Sequence, residues 1–92
     1  MELLAIHRKV IKSIEKILSE YDFYLAGGTA VYYYLFHRSS EDLDFFTKKK
    51  FNEDILQETL EPYPISLKSE GTIYTSIKNV KISFFYYPYN LL

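Results

Sequence analysis

The sequence predicts an α+β domain with one mixed sheet and helices mainly on one face, in the order α-β-α-β-α-β-β-β. Three observations predict it. Apolar residues recur at three- and four-residue steps over residues 2–20, the period of a helix. They alternate singly through the last third of the chain, the period of strands. Between these regions, two short apolar runs are separated by a glycine pair and a second stretch of helical character. At 92 residues the chain is read as a single domain: an N-terminal helix over 2–20, a central core over 23–47 and C-terminal strands over 64–87.

The first helix places Leu3, Ile6, Val10, Ile14, Ile17 and Leu18 on one side and Arg8, Lys9, Lys12, Glu15 and Lys16 on the other. The acids Glu2, Glu15 and Glu20 dilute its basic face, so it is expected to pack on a sheet rather than lie on an anionic membrane. Phe23–Ala26 is a short strand ended by Gly27-Gly28, and Thr29–His37 reads as a helix with Gly28 or Thr29 near its N-cap. Leu43–Thr47 is a strongly apolar strand, followed by Lys48-Lys49-Lys50. Asn52 is the expected N-cap of a helix running to about Leu60, which Pro62 stops. Ile65 and Leu67 then alternate with Ser66 and Lys68, Ile73, Thr75 and Ile77 with Tyr74 and Ser76, and Val80, Ile82 and Phe84 with Lys81 and Ser83. Glu70-Gly71 and Lys78-Asn79 supply the turns.

Composition narrows the function classes. Eleven basic and twelve acidic residues give a net charge of −1, which argues against a surface that is wholly a nucleic-acid clamp and leaves room for a local basic patch. With 48% hydrophobic and 18% aromatic residues the chain is globular in composition. The absence of cysteine excludes disulfides, zinc ribbons and thiol nucleophiles. No signal-like stretch follows Met1, so a cytoplasmic location is expected. The uncharged run Phe23–Phe36 is too short and too broken by glycine, threonine and tyrosine to cross a bilayer.

The chemistry concentrates in Gly27-Gly28-Thr29 and Asp42-Leu43-Asp44. Glycines at a strand-to-helix turn let backbone approach a ligand, and the amides at a helix start attract phosphate oxygens. Carboxylates two apart on a strand share a face, with Cα atoms roughly 6.6 Å apart. They repel each other and resist dehydration, and a divalent cation relieves both. Mg²⁺ takes one or two carboxylates together with substrate phosphates, so the pair points to a metal–nucleotide site beside the glycine turn. Taken alone, the glycines also fit a plain turn and the aspartates a solvated or base-paired strand start.

Together, the glycine turn, the spacing of about a dozen residues and the Asp-hydrophobic-Asp strand resemble the nucleotidyltransferase superfamily that includes DNA polymerase β. More narrowly, Tyr24–Ala30 and the run His37-Arg38-Ser39-Ser40-Glu41-Asp42-Leu43-Asp44-Phe45-Phe46-Thr47 resemble the abortive-infection nucleotidyltransferase toxins of the AbiEii/AbiGii class. The segment Val80–Tyr89 is similar to a strand of some members. The resemblance implies a nucleotidyltransferase fold and transfer of a nucleotidyl group from an NTP to an RNA or protein hydroxyl, in a toxin–antitoxin or abortive-infection system. It implies that Gly27, Gly28 and Thr29 hold the triphosphate and that Asp42 and Asp44 are catalytic and bind Mg²⁺ or Mn²⁺. Arg38, Ser40 and Lys48 are read as further nucleotide-binding candidates, with Arg38 alternatively bracing the Asp pair and Lys48 alternatively steering RNA.

The sequence departs from that pattern where a third carboxylate is common on a neighbouring strand. Val80–Tyr86 offers Ser83 there, and Glu70 is the nearest preceding acid. Relatives are typically longer, so the chain is read as the catalytic core. The alternative is a catalytically degenerate module of the same fold that binds a nucleotide or a partner protein. His37 and Arg38 also fit a helix C-terminus complemented by cations. Lys48-Lys49-Lys50 also fits a solvated loop. Tyr32-Tyr33-Tyr34 cannot all face one way on a helix. The aromatic segment 84–89 is read as an open strand edge, which predicts a homodimer or a partner polypeptide built on residues 80–92, with Tyr32–Tyr34 as a further candidate contact.

Overall fold

The structure, a computed structural model, describes residues 5–25 and 42–89. Among these residues it shows a mixed α+β fold in which a central sheet is flanked by three helices. The elements are α1 (Ala5–Ser13), α2 (Glu15–Glu20), β1 (Tyr24–Leu25), β2 (Leu43–Thr47), α3 (Glu53–Leu60), β3 (Ile65–Ser69), β4 (Thr72–Ile77) and β5 (Val80–Tyr86). The helix expected over Thr29–His37 lies outside the described residues, as do Tyr32–Tyr34 and the ends of the first helix and first strand.

The single helix expected over 2–20 is broken at Ile14. The Ser13 hydroxyl donates to the Val10 carbonyl at 2.6 Å, and the Ile14 amide turns back to Ile11 at 3.1 Å. A serine hydroxyl that takes a carbonyl of the preceding turn competes with the backbone ladder, which resumes at Leu18 N–H to Ile14 O. The hydrophobic stripe runs through the break, because Val10, Ile14 and Ile17 are all buried.

Helix α2 ends in a Schellman motif. Asp22 adopts φ +54, Phe23 N–H reaches the Leu18 carbonyl, and Asp22 N–H reaches that of Ser19. Two contacts tie this turn to the far end of β2. Thr47 Oγ1 donates to the Tyr21 carbonyl at 2.6 Å, and Lys49 pairs with Asp22 at 2.7 Å. Thr47 is fully buried, so its hydroxyl would be costly there without that partner. Helix α3 starts where expected, with the Asn52 side chain accepting from Ile55 N–H. Its first turn grips the β3–β4 hairpin through Glu53 to the Gly71 amide and Asp54 to Lys68.

The strand order is β1-β2-β5-β4-β3, with β2 and β5 parallel and the other neighbours antiparallel. Strand β5 is therefore central and paired on both sides. This corrects the open edge expected at Val80–Tyr86: a strand with two neighbours has no free backbone groups for a third. It occupies the centre because its residues Val80, Ile82 and Phe84 are all buried. Among the described residues the edges are β1 and β3, and β3 is bordered by Pro64 and carries Lys68 and a register shift. These features of β3 discourage further strand pairing there.

The shift lies between Ile65 and Leu67. Ile65 stands beside Thr75 and Leu67 beside Tyr74, so the two apolar residues lie on opposite faces and not on one, as simple alternation predicts. Leu67 is left 40% exposed. Both expected turns form. Lys78 and Asn79 have φ of +52 and +66, the two-residue hairpin geometry with both central residues left-handed. Gly71 has φ +69 and lies against Tyr86, where an added Cβ would sit 3.4 Å from the tyrosine Cβ.

One face of the sheet is covered by the helices. Leu43, Phe45, Ile73, Ile77, Val80, Ile82 and Phe84 pack there with Val10, Ile14, Ile17, Leu56 and Leu60. Phe23 lies among them, its ring 4.9 Å from Phe84 and 5.7 Å from Phe51. Among the described residues no helix is long and apolar enough to cross a membrane.

Candidate active site

The pleat of β2 separates two kinds of side chain. Leu43, Phe45 and Thr47 point into the helix-covered core, so Asp44 and Phe46 point to the opposite face. Asp42 directly precedes the strand and is, like Asp44, half-buried. The alternation that the sequence predicts for the two carboxylates is thus set by the burial of Leu43 between them.

The register builds the rest of that face. Asp44 lies beside Ser83 of β5, Ser83 beside Tyr74 of β4, and Tyr74 beside Leu67 of β3. The next row holds Phe46, Phe85 and Thr72, with Tyr24 on the far side of Phe46. Phe46 stacks on Phe85 at 5.2 Å and meets the edge of Tyr87 at 5.9 Å. Phe46 is only 2% exposed although it faces away from the main core. This second aromatic cluster gives the Asp44 row a firm floor.

The position where a third carboxylate is common is occupied by Ser83, abreast of Asp44 at the ordinary strand spacing of about 4.8 Å. Glu70 is exposed in the β3–β4 turn, beyond the row of Thr72 and Phe85, and does not face the pair. Among the described residues no three acidic, histidine or cysteine side chains gather into a metal-holding group. Asp42 and Asp44 suit a cation that completes its coordination with phosphate oxygens and water, as Mg²⁺ does. They do not form an all-protein cage.

Lys48 is exposed just past the end of β2, four residues from Asp44 and so about 13 Å along the strand. Its neighbour Lys49 is committed to Asp22. Gly27, Gly28, Thr29, Arg38 and Ser40 lie outside the described residues. Strand β1 runs antiparallel to β2, with Leu25 opposite Phe45, so the chain leaves β1 heading toward the Asp44 end of β2.

Sequence reasoning overlooked Lys81. It precedes Ile82, the register partner of Leu43, and it alternates onto the face of Ser83. The signal was available, because β5 was already expected to supply the third site residue and Lys81 shares the parity of Ser83.

Comparison with known proteins bears on this arrangement. Residues 10–91 match the family described as "Nucleotidyl transferase AbiEii toxin, Type IV TA system". The chain is also similar to an uncharacterized protein of Aquifex aeolicus (strain VF5), at 36% identity over 89 residues. That alignment covers 88% of this chain and 43% of the relative, so the chain spans less than half the length of the curated relative it matches. No solved structure matches it.

Proposed function

Because the chain belongs to the AbiEii nucleotidyltransferase family, we propose that it carries the core of a metal-dependent nucleotidyltransferase, a toxin of a toxin–antitoxin or abortive-infection system. It transfers a nucleotidyl group from an NTP to an RNA or protein hydroxyl. The observation that carries this reading is the placement of Asp42 and Asp44 two residues apart at the start of β2, turned away from the core. In the reaction, a bond forms between the acceptor oxygen and the α-phosphorus, the hydroxyl proton passes to solvent water, the bond to the bridging oxygen breaks, and pyrophosphate leaves. Mg²⁺ or Mn²⁺, when bound, supplies positive charge for the phosphates.

In this reading Asp42 and Asp44 hold the cation, and Gly27, Gly28 and Thr29 cradle the triphosphate, with Arg38, Ser40 and Lys48 as further nucleotide contacts. The sheet supplies rigidity: Leu43 and Phe45 are locked in the core on either side of Asp44, so its carboxylate is held in place before substrate arrives. Calorimetric titration with Mg-NTP tests the reading. Wild type binds, while Asp42→Asn and Asp44→Asn lose metal-dependent binding and keep their circular dichroism. Absence of binding by wild type at millimolar nucleotide overturns it.

A second reading is favoured by Ser83 beside Asp44: a degenerate module of the same fold that binds a nucleotide or partner without transfer. Incubation with labelled NTPs, RNA and cell extract separates the two. Label transferred by wild type and lost in Asp42→Ala supports the enzyme, and metal-independent partner capture without transfer supports the module. In either case, a homodimer or partner complex through residues 80–92 must use side chains such as Tyr87 and the 67%-exposed Tyr89, because β5 is already paired on both edges. Light scattering measures that assembly, and Tyr89→Ser is expected to weaken it. The protein is expected to act in the cytoplasm.

A further inference from the structure

Strand β5 brings a lysine into the row that holds Asp42. In the parallel pairing Leu43 stands abreast of Ile82, so one step back along both strands sets Asp42 beside Lys81. On the other side of Lys81 is Ser76 of β4. Val80, Ile82 and Phe84 are buried in the helix-covered core, and Lys81 and Ser83 therefore project to the face of Asp44. Lys81 is exposed and makes no ion pair among the described residues, unlike Lys49 and Lys68. One half of this face carries the two carboxylates. The other half carries Lys81 and the hydroxyls of Ser76, Ser83 and Tyr74, and no acid among the described residues.

We propose that Lys81 is a phosphate-binding residue of this site and contacts the phosphate chain of the NTP. The inference rests on the nucleotidyltransferase reading and adds to it a residue and a role. The charge balance supports it. Two carboxylates and one divalent cation cancel, which leaves the triphosphate charge to be met by the protein. A third carboxylate abreast of Asp44 would deepen that deficit, and Ser83 stands there instead. A lysine ammonium on a flexible four-carbon stem binds phosphate as a point charge. From the strand next to β2, Lys81 reaches phosphates held over Asp42 without displacing the cation. The hydroxyls of Ser76 and Ser83 can donate to the same oxygens.

The test uses isothermal titration with two probes, Mg-NTP and metal-free tripolyphosphate, against wild type, Lys81→Ala, Lys81→Arg and Lys12→Ala. Lys12 is an exposed cation on α1, whose buried Val10 packs on the other face of the sheet. One charge-assisted contact corresponds to a loss of roughly tenfold or more in affinity. Lys81→Ala is expected to weaken both probes by that factor, Lys81→Arg to recover most of it, and Lys12→Ala to match wild type. Thermal melts serve as the folding control, since an exposed side chain can be truncated there at little cost.

Equal binding by Lys81→Ala and wild type overturns the proposal while leaving the nucleotidyltransferase reading intact. So does an equal loss in Lys12→Ala, which would make the effect one of net charge. If wild type binds tripolyphosphate through Lys81 but not Mg-NTP, the phosphate site stands and the nucleotide-transfer reading falls. If wild type binds neither probe, both fall.

Discussion

In the proposed metal–nucleotide site, Ser83 sets how much negative charge the paired strands present. It stands beside Asp44 at strand spacing, in a position from which an acid would face both site carboxylates. Ser83→Asp is expected to lower metal-free stability by about 1 kcal/mol, from like charges on neighbouring strands. Added Mn²⁺ should restore the loss and raise the melting temperature above that of similarly treated wild type. A melt indifferent to Mn²⁺ would mean that the three positions do not converge on one ion. Tyr21 titrates above its ordinary value, first because burial disfavours the phenolate and second because Glu20 is near. A phenol that is harder to ionise when folded contributes stability below its unfolded pKa of about 10 and loses it as pH rises through the folded value. Wild type should therefore lose stability in strongly alkaline solution more steeply than Tyr21→Phe in matched denaturant titrations.

At the scale of elements, the site strand is fixed from both ends of its surroundings. Thr47 anchors the end of β2 to the α2–β1 turn, and α3 clamps the β3–β4 hairpin. Thr47→Val keeps the volume but strands the Tyr21 carbonyl, and should cost about 1–3 kcal/mol in urea unfolding. Asn52→Ala removes the α3 cap and should cost about 1 kcal/mol. The two differ in consequence. The first loosens β2 itself and should weaken nucleotide binding, whereas the second acts far from Asp42 and should leave affinity unchanged. Equal affinity losses in both variants would argue that the site responds to global stability alone.

At the scale of the molecule, the two faces of the sheet are unequal. Phe84 lies in the helix-covered core against Phe23 and Phe45, fully buried. Phe85, its neighbour, lies on the other face and is half-buried against Phe46 and Tyr74. Phe84→Ala should cost about 3–5 kcal/mol, enough to unfold a marginal small domain. Phe85→Ala should cost clearly less and should act mainly on the aromatic floor beside Asp44. Chemical denaturation of both variants checks the asymmetry, and similar losses would show that the second face is as tightly packed as the first.

The sequence by itself determined what depends on neighbours a few residues away. The 2.0 period placed Asp42 and Asp44 on one face of β2, Asn52 marked the start of α3, and Lys78-Asn79 and Gly71 marked the hairpin turns. The motif around the two aspartates carried the family. Only the tertiary structure decided what depends on pairing between distant segments. It set β5 in the middle of the sheet and not at its edge, put Ser83 beside Asp44 and Lys81 in the row of Asp42, and split Ile65 from Leu67 across a register shift. Local periodicity states which face a residue prefers but not which strand lies beside it. Strand order follows from how all the apolar faces are buried together, and here burying Val80, Ile82 and Phe84 between two neighbours brought a cation and a hydroxyl to the carboxylates.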